Sequence, residues 1–308
     1  MAAWIASDVP VQRGRLAVVT GGTGGLGFQT ALELARAGAR VIIAGRAADK
    51  GIASAAKIRA ATNGTDVRFE MLDLANLASI KTFGTRMQDE RLDLLINNAG
   101  VMAPPIRKVT ADGFELQFGT NFLGHFALTA GLLSVLQRGD HPRVVTVSSF
   151  GANSGKIDFD DLQSERSYRP MVAYNQSKLA DLLFAFELER RSQMNGWDVV
   201  SLAAHPGLAF TELIPNGTGR NSMPSRIARL LGPLIMQSPA KGALPTLFAA
   251  TSSDAQAGSY YGPSGLGGIR GATALTKPPP AAMDLNVAAC LWARAEQLTG
   301  FNFERFAQ

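Results

Sequence analysis

Tyr174 and Lys178 stand four residues apart in Tyr174-Asn175-Gln176-Ser177-Lys178, and a helix would put both on one face. A phenol ordinarily titrates near 10, and a neighbouring ammonium favours its phenolate. Such a pair suits acid/base work on a carbonyl or an alcohol. The spacing alone says little, because many surface helices carry a Tyr and a Lys this far apart. Its weight comes from the residues upstream.

Leu16-Ala17-Val18-Val19-Thr20 runs into Gly21-Gly22-Thr23-Gly24-Gly25-Leu26-Gly27. Phe28, Ala31, Leu32, Leu34 and Ala35 follow at helical spacing. This is a strand, a glycine turn and a helix. Glycines there let the backbone approach a pyrophosphate at the positive helix N-terminus. Gly21, Gly25 and Gly27 have the spacing G-x-x-x-G-x-G, not G-x-G-x-x-G. A turn with no ligand is the plainer reading, and the strand-turn-helix context argues against it.

The elements that must position these residues alternate along the chain. Short apolar runs at 16–19, 41–44, 66–71, 92–96, 144–147 and 199–203 predict strands. Helices are expected at 25–37, 47–61, 75–90, 111–136, 172–194 and 240–251, with a terminal helix at 281–298 behind Pro278, Pro279 and Pro280. Repeated βα units give a parallel sheet with helices on both faces. Ligands then bind beyond the carboxyl ends of the strands, where the motif residues cluster. Residues 258–271 read as a glycine-rich loop. Residues 208–239, rich in Gly, Pro, Asn and Ser, read as a lid over the substrate.

Composition narrows the function classes. The balance of 46% hydrophobic to 18% charged residues describes a globular protein with a sizeable core. The net charge of +5 comes without a basic run interleaved with aromatics, so nucleic acid is not expected as a partner. The single cysteine, Cys290, excludes an intrachain disulfide and reads as a small packed hydrophobe. His125, His141 and His205 lack metal-ligand spacing and read as structural; no metal is expected. Residues 1–12 lack the features of a signal peptide, and no window approaches the ~20 apolar residues of a membrane span. The expected location is cytoplasmic.

Together the motifs resemble the short-chain dehydrogenases/reductases over about residues 14–260. The glycine turn from Thr20 to Gly27 is similar to that family's cofactor turn, and Asn97-Asn98-Ala99-Gly100 to the motif after its fourth strand. Asn121, Ser149, Tyr174 and Lys178 match its catalytic tetrad, and His205-Pro206-Gly207 the turn before its substrate loop. Val101-Met102, Gly124-His125-Phe126, the long interval from Ser149 to Tyr174, and Leu291-Trp292 resemble the retinol-dehydrogenase-like branch, which also holds the protochlorophyllide reductases. The N-terminal anchor of membrane-bound retinol dehydrogenases is not seen here, nor are cysteines near the substrate motifs, as protochlorophyllide reductases have.

The resemblance implies a fold: a Rossmann-type, doubly wound parallel sheet in three αβα layers. Residues 1–13 would be an N-terminal extension. Residues 14–308 would form one catalytic domain with a C-terminal extension at 262–308. It also implies roles. Tyr174 exchanges the proton with the substrate oxygen, and Lys178 favours the phenolate and meets the nicotinamide ribose. Ser149, preferred over Ser148, hydrogen-bonds the substrate oxygen, and Asn121 holds a relay water. A polar residue satisfying a helix kink is the plainer role for Asn121. Gly21, Thr23, Gly24, Gly25, Leu26, Gly27, Asp73, Leu74, Asn98, Ala99, Gly100, Pro206, Gly207, Leu208 and Thr211 fall to the cofactor. Asp73 is placed at the adenine amine, with a helix cap as its plainer role. Pairing of two copies through the helices at 111–136 and 172–194 is a further family expectation.

The cofactor's identity can be argued physically. NAD-binding relatives end the second strand in a carboxylate about 20 residues past the turn. Here that place reads Ala44-Gly45-Arg46. Arg46 can pair with a 2′-phosphate, so NADP is preferred and NAD is the alternative. Leu208, Phe210, Leu213, Ile214, Met223, Ile227, Leu230 and Leu231 suggest a bulky apolar substrate. The reading is an NADP(H)-dependent alcohol/carbonyl oxidoreductase. A catalytically silent NADP-binding sensor or a C=C reductase is the alternative. A serine hydrolase is set aside, because no G-x-S-x-G elbow occurs.

Overall fold

The computed structural model describes residues 3–208 and 237–306. The predicted lid lies outside them except at its two ends, and Thr211, Phe210, Leu213, Ile214, Met223, Ile227, Leu230 and Leu231 lie outside with it.

Eight strands form one sheet in the order β3-β2-β1-β4-β5-β6-β7-β8. They are β1 Leu16–Thr20, β2 Arg40–Gly45, β3 Val67–Met71, β4 Leu94–Asn97, β5 Arg143–Val147, β6 Val200–Ala204, β7 Tyr260–Gly265 and β8 Arg270–Leu275. The first seven pair in parallel, and β8 closes the edge antiparallel to β7. The order reverses between β1 and β4, which creates a crevice at their carboxyl ends. The fold is the expected doubly wound α/β sheet.

The strand centres are apolar on both faces because helices cover both. Leu16 and Val18 of β1 join one core with Leu95, Val144 and Phe126; Ala17 and Val19 join the other with Leu94, Val145 and Leu247. Helices α1 Gly25–Arg36 and α2 Ala48–Ala61, with helix Pro239–Thr251, back the second core. Helices α3 Leu77–Met87, α4 Gly124–Gly131, α5 Leu133–Gln137 and α6 Pro170–Asn195, with the C-terminal helix Leu285–Thr299, back the first.

The sequence expectation needs correction in four places. The single helix expected over 111–136 is interrupted: a π-helical segment, Phe118–Leu123, leads into α4, and a break at Leu132 separates α4 from α5. The loop expected at 258–271 carries β7 and the start of β8. Gly262 is required there for packing: a Cβ on it would overlap the His205 ring. Residues 280–283 form a 3-10 turn, and the terminal helix begins at Leu285 behind an Asp284 cap. Cys290 is exposed, because the helix turns Ala288, Leu291, Trp292 and Ala295 inward instead.

Trp292 anchors that C-terminal helix. Its ring lies 5.0 Å from Phe126, 5.9 Å from Phe184 and 4.4 Å from Phe303. The Arg191 guanidinium covers it at 4.6 Å, and Glu187 holds Arg191 at 2.6 Å. The C-terminal segment therefore locks α4 and α6 together from outside the sheet.

Candidate active site

The glycine turn leaves β1 at Thr20 and enters α1 at Gly25. Gly21 has φ of 67°, and a Cβ there would stand 2.9 Å from Ala99 Cα. A Cβ on Gly27 would stand 2.5 Å from Asn98 Nδ2. Only glycine lets the turn sit this close to the β4 end. Gly24 is different: a Cβ there would meet nothing within 4 Å, and no side chain caps α1. The first-turn amides of α1 and the open space over Gly24 form a cradle fit for an anionic group.

Asn98 and Ala99 are held to the turn by Thr20. Its Oγ1 accepts from both of their backbone N–H groups at 2.9 Å, and Asn98 Nδ2 donates to Thr20 O at 2.7 Å. His125 lies behind this knot. Its Nδ1 is 2.7 Å from Asn121 O, and its Nε2 is 2.9 Å from Thr20 Oγ1. A carbonyl only accepts, so Nδ1 carries the proton and Nε2 accepts from Thr20. Burial drives the imidazole pKa down to about 3, so the ring stays neutral.

Tyr174 and Lys178 lie one turn apart on α6, both buried. Lys178 Nζ donates to Val147 O at 3.0 Å, at the end of β5, and to Asp181 Oδ2 at 2.8 Å. Burial opposes the ammonium, but Asp181 and Tyr174 outweigh it and hold the Lys178 pKa above its usual value. Burial pushes the Asp181 carboxyl up to about 7 against the pull of Lys178.

The two serines after β5 differ sharply. Ser148 is buried and donates to Lys178 O at 2.7 Å. Ser149 is half-buried, and among the described residues its Oγ accepts only from Gly151 N, at 3.2 Å. Its hydroxyl hydrogen meets no acceptor among those residues. A Cβ on Gly151 would stand 3.3 Å from the Tyr174 ring, so the short turn Phe150–Ser154 brings Ser149 and Tyr174 to one wall.

Asn121 sits in the π-helical segment, a local irregularity that recurs at functional sites. Its Oδ1 accepts from Val101 N at 2.8 Å, and its Nδ2 donates to Val101 O at 3.0 Å and Ser177 Oγ at 2.9 Å. Both side-chain protons are used, so a water can meet this amide only at Oδ1. A Cβ on Gly100 would stand 3.2 Å from that oxygen and 3.8 Å from Lys178 Nζ. Asn121, Lys178 and Gly100 therefore converge.

Just past the end of β2, Arg46 is exposed, with no partner among the described residues. Thr23 lies beside the same strand end: a Cβ on Gly45 would touch its methyl group at 3.6 Å. Lys50, four residues past Arg46 in the first turn of α2, is exposed. Asp73 Oδ1 accepts from Ala75 N at 3.0 Å, but the cap of α3 is Asn76, whose Oδ1 accepts from Ala78 N and Ser79 N. Leu74 is buried beneath α4, where a Cβ on Gly124 would strike its backbone.

The turn after β6 is tied down at Leu208. Leu208 N donates to Ile269 O at 2.9 Å, and Leu208 O accepts from Gln237 N at 2.8 Å. The Leu208 N–H is thus taken, while its carbonyl keeps a second lone pair. Gln237 Nε2 also donates to Pro206 O at 2.8 Å, so Gln237 ties Pro206 and Leu208 together. A Cβ on Gly207 would strike Ile269 O.

The site thus gathers at the carboxyl ends of β1, β4 and β5 a neutral-histidine knot, a glycine cradle, a Tyr–Lys pair and the Ser149 hydroxyl. Residues 15–215 match the family model for short chain dehydrogenases. The chain belongs to the short-chain dehydrogenase family. It is 42% identical to human retinol dehydrogenase 13 over 295 residues, 93% of this chain and 85% of that one. It is 40% identical to mouse polyprenol dehydrogenase over 300 residues, 95% and 86% of the two chains. Among solved structures, an uncharacterized protein from Mycobacterium paratuberculosis superposes with a TM-score of 0.82 at 40% identity, covering 98% of this chain and 99% of that one. This short-chain dehydrogenase is therefore an oxidoreductase of CH–OH groups in the retinol-dehydrogenase-like branch. No helix among its described residues is long and apolar enough to cross a membrane.

The sequence reading missed two participants. Asp181 was visible as a lone charge within Leu179-Ala180-Asp181-Leu182-Leu183, one turn past Lys178. His125 was read as structural, but its partners, four and 105 positions away, join both halves of the site.

Proposed function

We propose that this protein is an NADP(H)-dependent oxidoreductase that interconverts an alcohol and a carbonyl on an apolar substrate, with Tyr174 exchanging the proton. The observation that carries the reading is the Tyr174–Lys178 face of α6 set beside the free hydroxyl of Ser149. In reduction, Tyr174 Oη donates its proton to the substrate oxygen while Ser149 Oγ donates a hydrogen bond to the same atom. In oxidation both roles reverse. Lys178, with one N–H left after Val147 and Asp181, holds the ribose of the nicotinamide and favours the phenolate. Asn121 keeps Val101 and Ser177 in register, and a relay water would sit at its Oδ1.

The cradle formed by Gly21, Thr23, Gly24, Gly25, Leu26 and Gly27 fits a pyrophosphate, and Asn98, Ala99 and Gly100 line the nicotinamide side. Asp73 and Leu74 would face the adenine. Pro206 and Gly207 would close the far side. NADPH, when bound, supplies the hydride. Arg46, exposed at the end of Ala44-Gly45-Arg46 where no carboxylate stands, and without a partner among the described residues, supports a 2′-phosphate and hence NADP. NADP is also bound, at low occupancy, in a Beutenbergia cavernae protein assigned as an NAD(P)-dependent gluconate 5-dehydrogenase (TM-score 0.63, 25% identity, 81% of this chain and 94% of that one). Relatives acting on retinol and polyprenol support a lipophilic alcohol.

Nicotinamide fluorescence tests the cofactor reading. Wild-type protein should bind NADPH more tightly than NADH, and Arg46→Asp should weaken NADPH about 10- to 100-fold while leaving NADH nearly unchanged. Equal affinity for both nucleotides in the wild type would reject it.

A further inference from the structure

We infer that Asp181 is a positioning residue for Lys178: its carboxylate fixes the ammonium at the end of β5 and offsets its charge, so that Tyr174 is kept a phenol and the site is set to donate a proton to a carbonyl. The inference rests on the proposed roles of Tyr174 and Lys178 and adds a direction to them.

The geometry is specific. Asp181 is 1% exposed, and its Oδ2 lies 2.8 Å from Lys178 Nζ. Its Oδ1 has no hydrogen-bond partner among the described residues. The carboxylate is therefore not spread over a network of donors, and its charge acts on one ammonium. Lys178 is at the same time in electrostatic reach of Tyr174. A lone ammonium beside the phenol would favour phenolate strongly. An ammonium paired in a low-dielectric interior favours it less, because the two fields oppose each other.

Other groups around α6 do not replace this carboxylate. The π-helical segment Phe118–Leu123 and the turns Phe150–Ser154 and Pro280–Met283 carry no ionisable side chain. His125 of α4 is neutral, its pKa driven down to about 3 by burial. His205, after β6, is likewise driven down to about 4 by burial. Tyr260 of β7 is held protonated by burial. Val144 of β5, Ser148 after it, and Ser201 and Ala203 of β6 face α6 with no charge. The C-terminal helix carries Arg294 and Glu296, and meets α6 through Trp292 at Phe184 and Arg191. Farther along α6, Glu187 is paired with Arg190 and Arg191. Among the described residues, Lys178 is the charge that acts on Asp181.

The test needs neither substrate nor cofactor. The chain has four tyrosines, and burial pushes Tyr168 up to about 12. The ultraviolet phenolate titration of the protein minus that of its Tyr174→Phe counterpart isolates Tyr174. Asp181→Asn keeps the shape and removes the charge. The Tyr174 phenolate should then form about one pH unit lower than with Asp181 in place. Asp181→Ser provides a second reading if the Asn variant does not fold. An unmoved titration in a folded variant overturns the inference. So does failure of both variants to fold, which would make Asp181 a structural partner only. Failure of the functional reading looks different: the titration shifts, but no alcohol or carbonyl is turned over.

Discussion

His125 Nε2 lies 2.9 Å from Thr20 Oγ1, and that bond ties the π-helical segment bearing Asn121 to the glycine turn. The same Thr20 oxygen receives the backbone N–H groups of Asn98 and Ala99. Replacing His125 with Phe fills the volume but leaves the Asn121 carbonyl and the Thr20 hydroxyl without this partner. We predict a loss of about 1–3 kcal/mol in unfolding free energy and weaker NADPH binding, read by urea unfolding and fluorescence titration. Unchanged values in both would separate the histidine from the site.

The two buried histidines also set an acid limit. Both have folded pKa values below the ordinary 6.5, at about 3 for His125 and about 4 for His205, chiefly through burial. Between about 6.5 and the folded value, the unfolded chain binds the extra proton and the folded chain does not. Their contribution is fully present above about 6.5 and is lost as pH falls towards 4. Each histidine removes about 1.4 kcal/mol per pH unit in that window. Urea unfolding at pH 7, 6 and 5 should show a shallower pH slope in His205→Asn than in wild type; an equal slope would contradict this.

The C-terminal helix depends on one side chain. Trp292 contacts Phe126, Phe184 and Phe303 and lies under Arg191. Trp292→Ala should cost about 3–5 kcal/mol, measured by denaturant unfolding. A cost under about 1 kcal/mol would mean that this cluster does not hold the helix.

Most of the sheet was legible because parallel strands buried on both faces read as apolar runs. The ends of β1, β2 and β5 differ from the sequence reading by at most one residue. Strands β7 and β8 were not legible. Gly262, Gly265 and Gly271 occupy them because His205 and the neighbouring backbones leave no room for a Cβ, and a glycine demanded by packing looks in sequence like one demanded by a loop. The break in the helix at 111–136 was hidden for another reason: Asn121 and His125 are four residues apart and fit a regular helix equally well. The positions of Tyr174, Lys178, Ser149 and the glycine turn followed from motif spacing. Asp181 and the Thr20–His125 bond are tertiary contacts that no local pattern announces.

Gly262→Ala makes that packing argument testable. The added methyl would overlap the His205 ring, and the hairpin or the ring must move. Thermal unfolding should occur several degrees lower than in wild type, and His205→Ala should relieve part of the loss when combined with it. Strictly additive effects would refute the contact.

The central claim is that Tyr174 moves the proton. The decisive measurement is NADP⁺-dependent oxidation of retinol, a polyprenol and a panel of secondary alcohols by wild type and Tyr174→Phe, with NADPH binding followed in parallel. Wild type should turn over at least one of these, and Tyr174→Phe should lower kcat about 10²- to 10⁴-fold while binding NADPH as before. Turnover that survives the loss of the phenol would contradict the account.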